Sequence, residues 1–162
     1  HFIDSEKRIE ILNIAFKDMK DVHIDNRETL KEGISFTIET LREYHSEYEN
    51  KQHFSLILGN DAFASFKSWK NWGEILNLSS LIVISRPNCD FLEGYLDEFK
   101  KNIVSSNSDF LSGHGKINFV ETSMLDISSS EIRKTINNAD FNEDTLDGDV
   151  YEYIKKNSLY KN

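Results

Sequence analysis

The chain has 162 residues, 38% of them hydrophobic and 12% aromatic, which suits one domain that buries roughly 70% of the surface its unfolded chain would expose. Nineteen Lys and Arg against 28 Asp and Glu leave a formal charge of −9, which opposes non-specific binding to nucleic acid but not a local site for a small phosphorylated ligand. No apolar run approaches the ~18 residues that span a bilayer, the one cysteine (Cys89) allows no internal disulfide, and no signal peptide is visible, so a cytoplasmic setting is expected.

Taken in chain order, Asp4-Ser5 followed by Ile9, Leu12, Phe16 and Met19 predicts a capped helix with one apolar face. Asp21 to Asp25 alternates, as a short strand does. Ser35-Phe36-Thr37 opens a second helix, with Ile38, Leu41 and either His45 or Tyr48 on one stripe. The run His53 to Leu58, stopped by Gly59, reads as a buried parallel strand. One helix is expected from Asp61 through Trp69 and Trp72 to Leu76, then a second buried strand at Leu81 to Ile84, halted by Arg86-Pro87. Between Asn88 and Gly115 the pattern suggests a helix around Leu92 to Val104 and a polar loop. Ile117 to Val120 is a third strand. Ser128 to Asn137 and Asp147 to Lys156 are helices, the last with Val150, Tyr153 and Ile154 inward. No repeat or linker interrupts the chain, so a single domain over 1–162 is expected. Strands alternating with helices predict an α/β fold, a parallel sheet with helices on both faces and ligands at the carboxyl ends of its strands.

Those ends carry the informative residues. Ser128, Ser129 and Ser130 with Glu131 form a capping box, and the same hydroxyls, the first N–H groups of the helix and Arg133 would also suit an anion. Gly59-Asn60-Asp61 is either a plain strand-to-helix turn or a place where backbone approaches a ligand and Asp61 accepts ribose hydroxyls. Trp69 and Trp72, three residues apart, serve the core or stack a flat ring. Arg86 is a surface charge or a ligand-facing cation. Gly113-His114-Gly115-Lys116 ends like a phosphate loop, but Phe110 stands where the first glycine belongs. No Cys/His cluster offers a metal site, and Cys89 has no histidine beside it to activate a thiolate.

Together these stretches resemble the bacterial nicotinate-nucleotide adenylyltransferases of the nucleotidyltransferase superfamily. Arg8-Ile9-Glu10-Ile11-Leu12, Ser35 to Leu41, Leu58-Gly59-Asn60-Asp61, Trp69 to Trp72, Ile84-Ser85-Arg86-Pro87 and Ile127 to Arg133 are similar, in order, to six segments of that family, and the tail from Leu146 to Tyr160 follows its ending. The family's Gly-x-Phe-x-Pro-x-His-x-Gly-His does not occur, and none of His1, His23, His45, His53 and His114 are three apart. The strand–helix–strand portion that bears it is expected to be missing, so the catalytic residues are unknown. Lys70 stands where many members carry Tyr, and Asp147 where the tail has Pro.

The resemblance implies a Rossmann-like, doubly wound sheet and adenylyl transfer from ATP, with Mg²⁺, to nicotinate mononucleotide in NAD biosynthesis. It implies ATP contacts from Ser128, Ser129, Arg133, Gly59 and Asp61, and substrate contacts from Thr37, Trp69, Lys70 and Arg86. Trp69 would stack the pyridine ring, and N–H groups near Thr37 and Lys70 would take the carboxylate. Alternatives are transfer to nicotinamide mononucleotide or phosphopantetheine, or a non-catalytic nucleotide-binding remnant. No protein-held metal, nucleic acid or membrane partner is expected, and a homo-oligomer is left open.

Overall fold

A computed structural model of the chain describes residues 3–49, 51–85, 94–122, 129–138, 141–142 and 145–160. These residues gather into two units, one made of 33–124 and the other of 1–32 with 125–162. Among them no helix is long and apolar enough to cross a membrane.

The first unit is built on three apolar runs. β1 (Ser55–Gly59), β2 (Ser80–Ser85) and β3 (Ile117–Glu121) form a parallel sheet in the order β1-β2-β3, with Ser55 opposite Ser80 and Leu81 opposite Ile117. A parallel α/β arrangement is what the alternating pattern indicates. Because side chains alternate along a strand, Leu58, Leu81, Val83 and Ile117 turn to one face and pack with Phe63, Phe66, Ile75, Phe99, Ile38 and Leu41. On the other face Ile57 is 66% exposed. The run His53 to Leu58 therefore does not read through as a strand buried on both sides. It pairs from Ser55 only, and among the described residues β1 has β2 as its one neighbour.

Helices α2 (Thr37–Glu47), α3 (Asn60–Ala64), α4 (Trp72–Leu78) and α5 (Asn107–Leu111) complete the unit. On α2 the buried stripe is Ile38, Leu41 and His45; Tyr48 is the exposed alternative. The single helix expected from Asp61 to Leu76 is broken into α3, a 3-10 turn at Phe66–Ser68 and α4. Serine hydroxyls account for the break: Ser65 Oγ donates to the Ala62 carbonyl at 3.1 Å and Ser68 Oγ to the Ser65 carbonyl at 2.6 Å, so both serines bond back to the preceding turn. Asn71, with φ at 54°, then turns the chain into α4. Of the helix expected around Leu92 to Val104, the part at 92–93 lies outside the described residues, and only a 3-10 turn at Leu96–Phe99 forms beyond it. α5 arises in the expected polar loop, where Ser106 caps it and Phe110 is buried.

The second unit comprises α1 (Ser5–Ala15), α6 (Ser129–Thr135) and α7 (Gly148–Lys156) around buried Ile136, Val150 and Ile154. Asp4, not Ser5, caps α1, accepting from the Lys7 N–H at 2.8 Å. Its inner residues are Ile11 and Ile14, whereas Leu12 and Met19 are exposed. Tyr153 is half-buried rather than inward, and its hydroxyl donates to Glu10 on α1. Asp21 to Asp25 forms no strand. The Val22 N–H is taken by the Met19 carbonyl, and the Asp25 carboxylate accepts from both the backbone and side chain of Arg27.

Candidate functional site

α2 starts without a cap. Phe36 occupies the N-cap position in extended backbone and has no side-chain oxygen to offer, while its carbonyl takes the Glu39 and Thr40 N–H groups at 2.9 and 3.4 Å. The first N–H groups of the helix thus have no side-chain cap, at the end where the helix dipole is positive. Facing this turn is the bend made by Trp69, Lys70 and Asn71, closed by the Trp72 N–H on the Trp69 carbonyl at 3.2 Å. Between them lies a cavity of about 280 Å³ lined by Ser35, Phe36, Thr37, Ser68, Trp69, Lys70 and Ile75.

Its walls are held by defined contacts. Ile75 is fully buried and belongs to the core. The half-buried Trp69 ring lies 5.6 Å from that of Phe66, which is itself fully buried. Arg42 on α2 forks onto Glu74 on α4 at 2.8 and 2.6 Å, and that guanidinium holds the Glu74 carboxyl below the usual carboxylate range. α2 and α4 are therefore tied together one turn or so from the cavity. Lys70 Nζ reaches Glu39 Oε1 at 2.7 Å and sits 4.0 Å from the centre of the Phe36 ring.

Three of the four residues expected to meet the substrate, Thr37, Trp69 and Lys70, are brought together here. Arg86 lies outside the described residues. Gly59 and Asp61 stand at the carboxyl end of β1, with Gly59 at the N-cap of α3 and Asp61 exposed in its first turn. They are not among the residues lining this cavity. In the other unit, Ser129 and Arg133 are exposed on α6 and Arg133 Nη2 bonds Ser130 Oγ at 3.4 Å. Ser128, and with it the expected capping box, falls outside the described residues.

Sequence reasoning did not single out Ser68, Ile75 or Glu39. Ser68 and Ile75 carry no motif signal, and the Glu39–Lys70 pair joins residues whose proximity no helical or strand spacing reveals. Thr122, just past β3, was likewise unmarked; its hydroxyl is buried without a hydrogen bond among the described residues. Toward the C-terminal end of α2, His45, His53 and His114 cluster, with ring centres 5.3 and 5.2 Å from His114. Burial, together with His53 and His45, pulls the His114 imidazole below its ordinary range despite a hydrogen bond to the Gln52 backbone. Among the described residues no group of three or more His, Cys, Asp or Glu is arranged to hold a metal ion.

Comparison with known proteins adds to this geometry. The description of cytidylyltransferase-like domains matches residues 1–135. A probable nicotinate-nucleotide adenylyltransferase of Hahella chejuensis is 32% identical over 158 residues, spanning 96% of this chain and 72% of that protein. One from Pseudoalteromonas atlantica is 33% identical over 163 residues, spanning 98% and 73%. Two structures of the Plasmodium falciparum nicotinic acid mononucleotide adenylyltransferase, complexed with APC and with NaAD, each align with a TM-score of 0.66 at 18% identity. They cover 96% and 99% of this chain, and 75% and 76% of their own, and this likeness bears on the fold.

Proposed function

The chain belongs to the cytidylyltransferase-like family and, within it, to the nicotinate-nucleotide adenylyltransferases, and from that premise we propose that it transfers the adenylyl group of ATP to nicotinate mononucleotide, giving deamido-NAD and pyrophosphate. The observation that carries the nicotinate reading is the cavity between the uncapped start of α2 and the Trp69–Asn71 bend. A flat pyridine ring stacks on Trp69. Its carboxylate accepts from the N–H groups near Thr37 and Lys70, where the α2 dipole favours an anion. A carboxamide presents no charge there, which disfavours the amide.

The reaction needs no covalent intermediate. The nucleotide's 5′-phosphate oxygen attacks the α-phosphorus of ATP in line, one P–O bond forms as another breaks, and pyrophosphate leaves. The protein's part is positioning and charge stabilisation. Ser128, Ser129 and Arg133 take the β- and γ-phosphate oxygens. Gly59 lets the backbone approach a nucleotide, Asp61 accepts from ribose hydroxyls, and Arg86 supplies a further cation. Mg²⁺ brought with ATP would neutralise triphosphate charge.

The direct test titrates the purified chain with nicotinate mononucleotide and nicotinamide mononucleotide by calorimetry, then supplies ATP and Mg²⁺ and follows deamido-NAD by chromatography. Saturable binding with preference for the acid is expected, and any deamido-NAD formed should come with the acid and not with the amide. Equal binding of the amide, or none of either, overturns the reading.

A further inference from the structure

Lys70 leaves the Trp69–Asn71 bend and crosses to the opposite wall of the cavity. Its ammonium is bonded to Glu39 Oε1 at 2.7 Å and rests 4.0 Å from the centre of the Phe36 ring. Both Phe36 and Lys70 line the cavity, so a positive charge is fixed at its edge from two sides. An ammonium has three donors and no acceptor. Glu39 takes one, the Phe36 face attracts the cation beneath it, and donor capacity remains for a third group. Both side chains of the ion pair are partly exposed, so as a surface pair alone it contributes little.

We propose that the Lys70 ammonium is a specificity-determining charge of this cavity, selecting a ring that carries a carboxylate over one that carries a carboxamide, and that Glu39 is its positioning residue. This rests on the nicotinate reading and goes beyond it, because the discrimination comes from a side chain as well as from backbone N–H groups. The flexible four-carbon stem of a lysine samples many rotamers when unheld. Glu39, in the first turn of α2, holds it in one place and neutralises its own repulsion toward the incoming carboxylate in doing so.

The experiment measures dissociation constants of nicotinate mononucleotide and nicotinamide mononucleotide for the full chain and for Lys70→Met, Lys70→Arg and Glu39→Gln, at low and high salt, with a thermal melt of each variant to establish that it is folded. Lys70→Met should weaken the acid about tenfold or more and leave the amide within about twofold, since only the acid loses a charge-assisted hydrogen bond. Lys70→Arg should restore most of the preference. Glu39→Gln should fall between, and added salt should reduce the wild-type preference. A purely structural pair would move both ligands together, so equal losses, or no loss, in Lys70→Met overturn the proposal while the nicotinate reading stands. Failure of the wild-type chain to bind either nucleotide overturns both.

Discussion

Replacing Trp69 and Trp72 one at a time by alanine separates binding from packing. The two indoles share a neighbour, Phe66, with ring centres 5.6 and 6.2 Å away, but only Trp69 lines the cavity. Trp72 instead makes a second steep contact with Phe99, at 5.9 Å and 74°. Truncating a fully buried aromatic costs about 3–5 kcal/mol. Trp72 is half-buried and loses two aromatic contacts of about 0.5–1.5 kcal/mol each, so Trp72→Ala should cost about 2–4 kcal/mol. For a chain of this size that lowers the thermal midpoint by roughly 5–10 °C. Trp69→Ala loses one such contact, about 1–2 kcal/mol of stability in all. It also loses the stacked ligand ring, about 1–3 kcal/mol, so nicotinate mononucleotide should bind roughly 5- to 150-fold more weakly. Circular-dichroism melts and calorimetric titrations of both variants give the two numbers. An unchanged affinity in Trp69→Ala, or an equal loss of affinity in a Trp72→Ala protein that melts like wild type, would refute the assignment of one ring to the ligand and the other to the core.

Arg133→Ala should weaken ATP by about 2–4 kcal/mol, in KM or Kd, with little change in the melt because the side chain is exposed and its bond to Ser130 is long. ATP parameters that hardly move would remove Arg133 from the triphosphate site. The His114 imidazole is held below its ordinary value near 6.5 by burial and by its histidine neighbours. The folded chain therefore binds fewer protons than the unfolded chain in mildly acid solution. Stability should be complete above about pH 6.5 and decline as pH falls through the folded value. The melting temperature of His114→Gln should fall less steeply between about pH 7 and pH 5 than that of wild type. Parallel curves would place the pH dependence elsewhere.

The elements that announced themselves are those whose pattern alone decides their state. Leu81 to Ile84 and Ile117 to Val120 are both strands, with Leu81, Val83 and Ile117 fully buried and Phe119 partly so. The helix expected from Asp147 to Lys156 forms as α7, with Asp147 as its cap, accepting from the Asp149 and Val150 N–H groups. The misjudged elements depend on competitors that a periodicity cannot weigh. The apolar spacing from Asp61 to Leu76 is helical, yet Ser65 and Ser68 spend their hydroxyls on nearby carbonyls and Asn71 takes a left-handed turn. α1 offers apolar residues on several sides, and tertiary contact picks Ile11 and Ile14 over Leu12. The site was legible in part. Thr37, Trp69 and Lys70 were named from motifs and meet at one cavity, whereas Glu39 enters through an ion pair across 31 residues.

That ion pair also bears on how a chain of charge −9 would hold an anion. A glutamate in the first turn of α2 stabilises the helix dipole, but it stands where it would repel a carboxylate approaching the same N–H groups. Lys70 resolves the conflict locally: its ammonium cancels the Glu39 charge at 2.7 Å and keeps donors to spare. The two residues are thus dependent on each other. Removing Lys70 takes the ammonium away from the Glu39 carboxylate beside the cavity, whereas removing Glu39 leaves a cation that is merely less well aimed. Loss of the lysine must then harm acid binding more than loss of the glutamate, and the sign of the second effect separates aiming from bulk charge: Glu39→Gln makes the chain less negative and would strengthen acid binding if bulk charge governed the site, whereas a less well aimed ammonium weakens it.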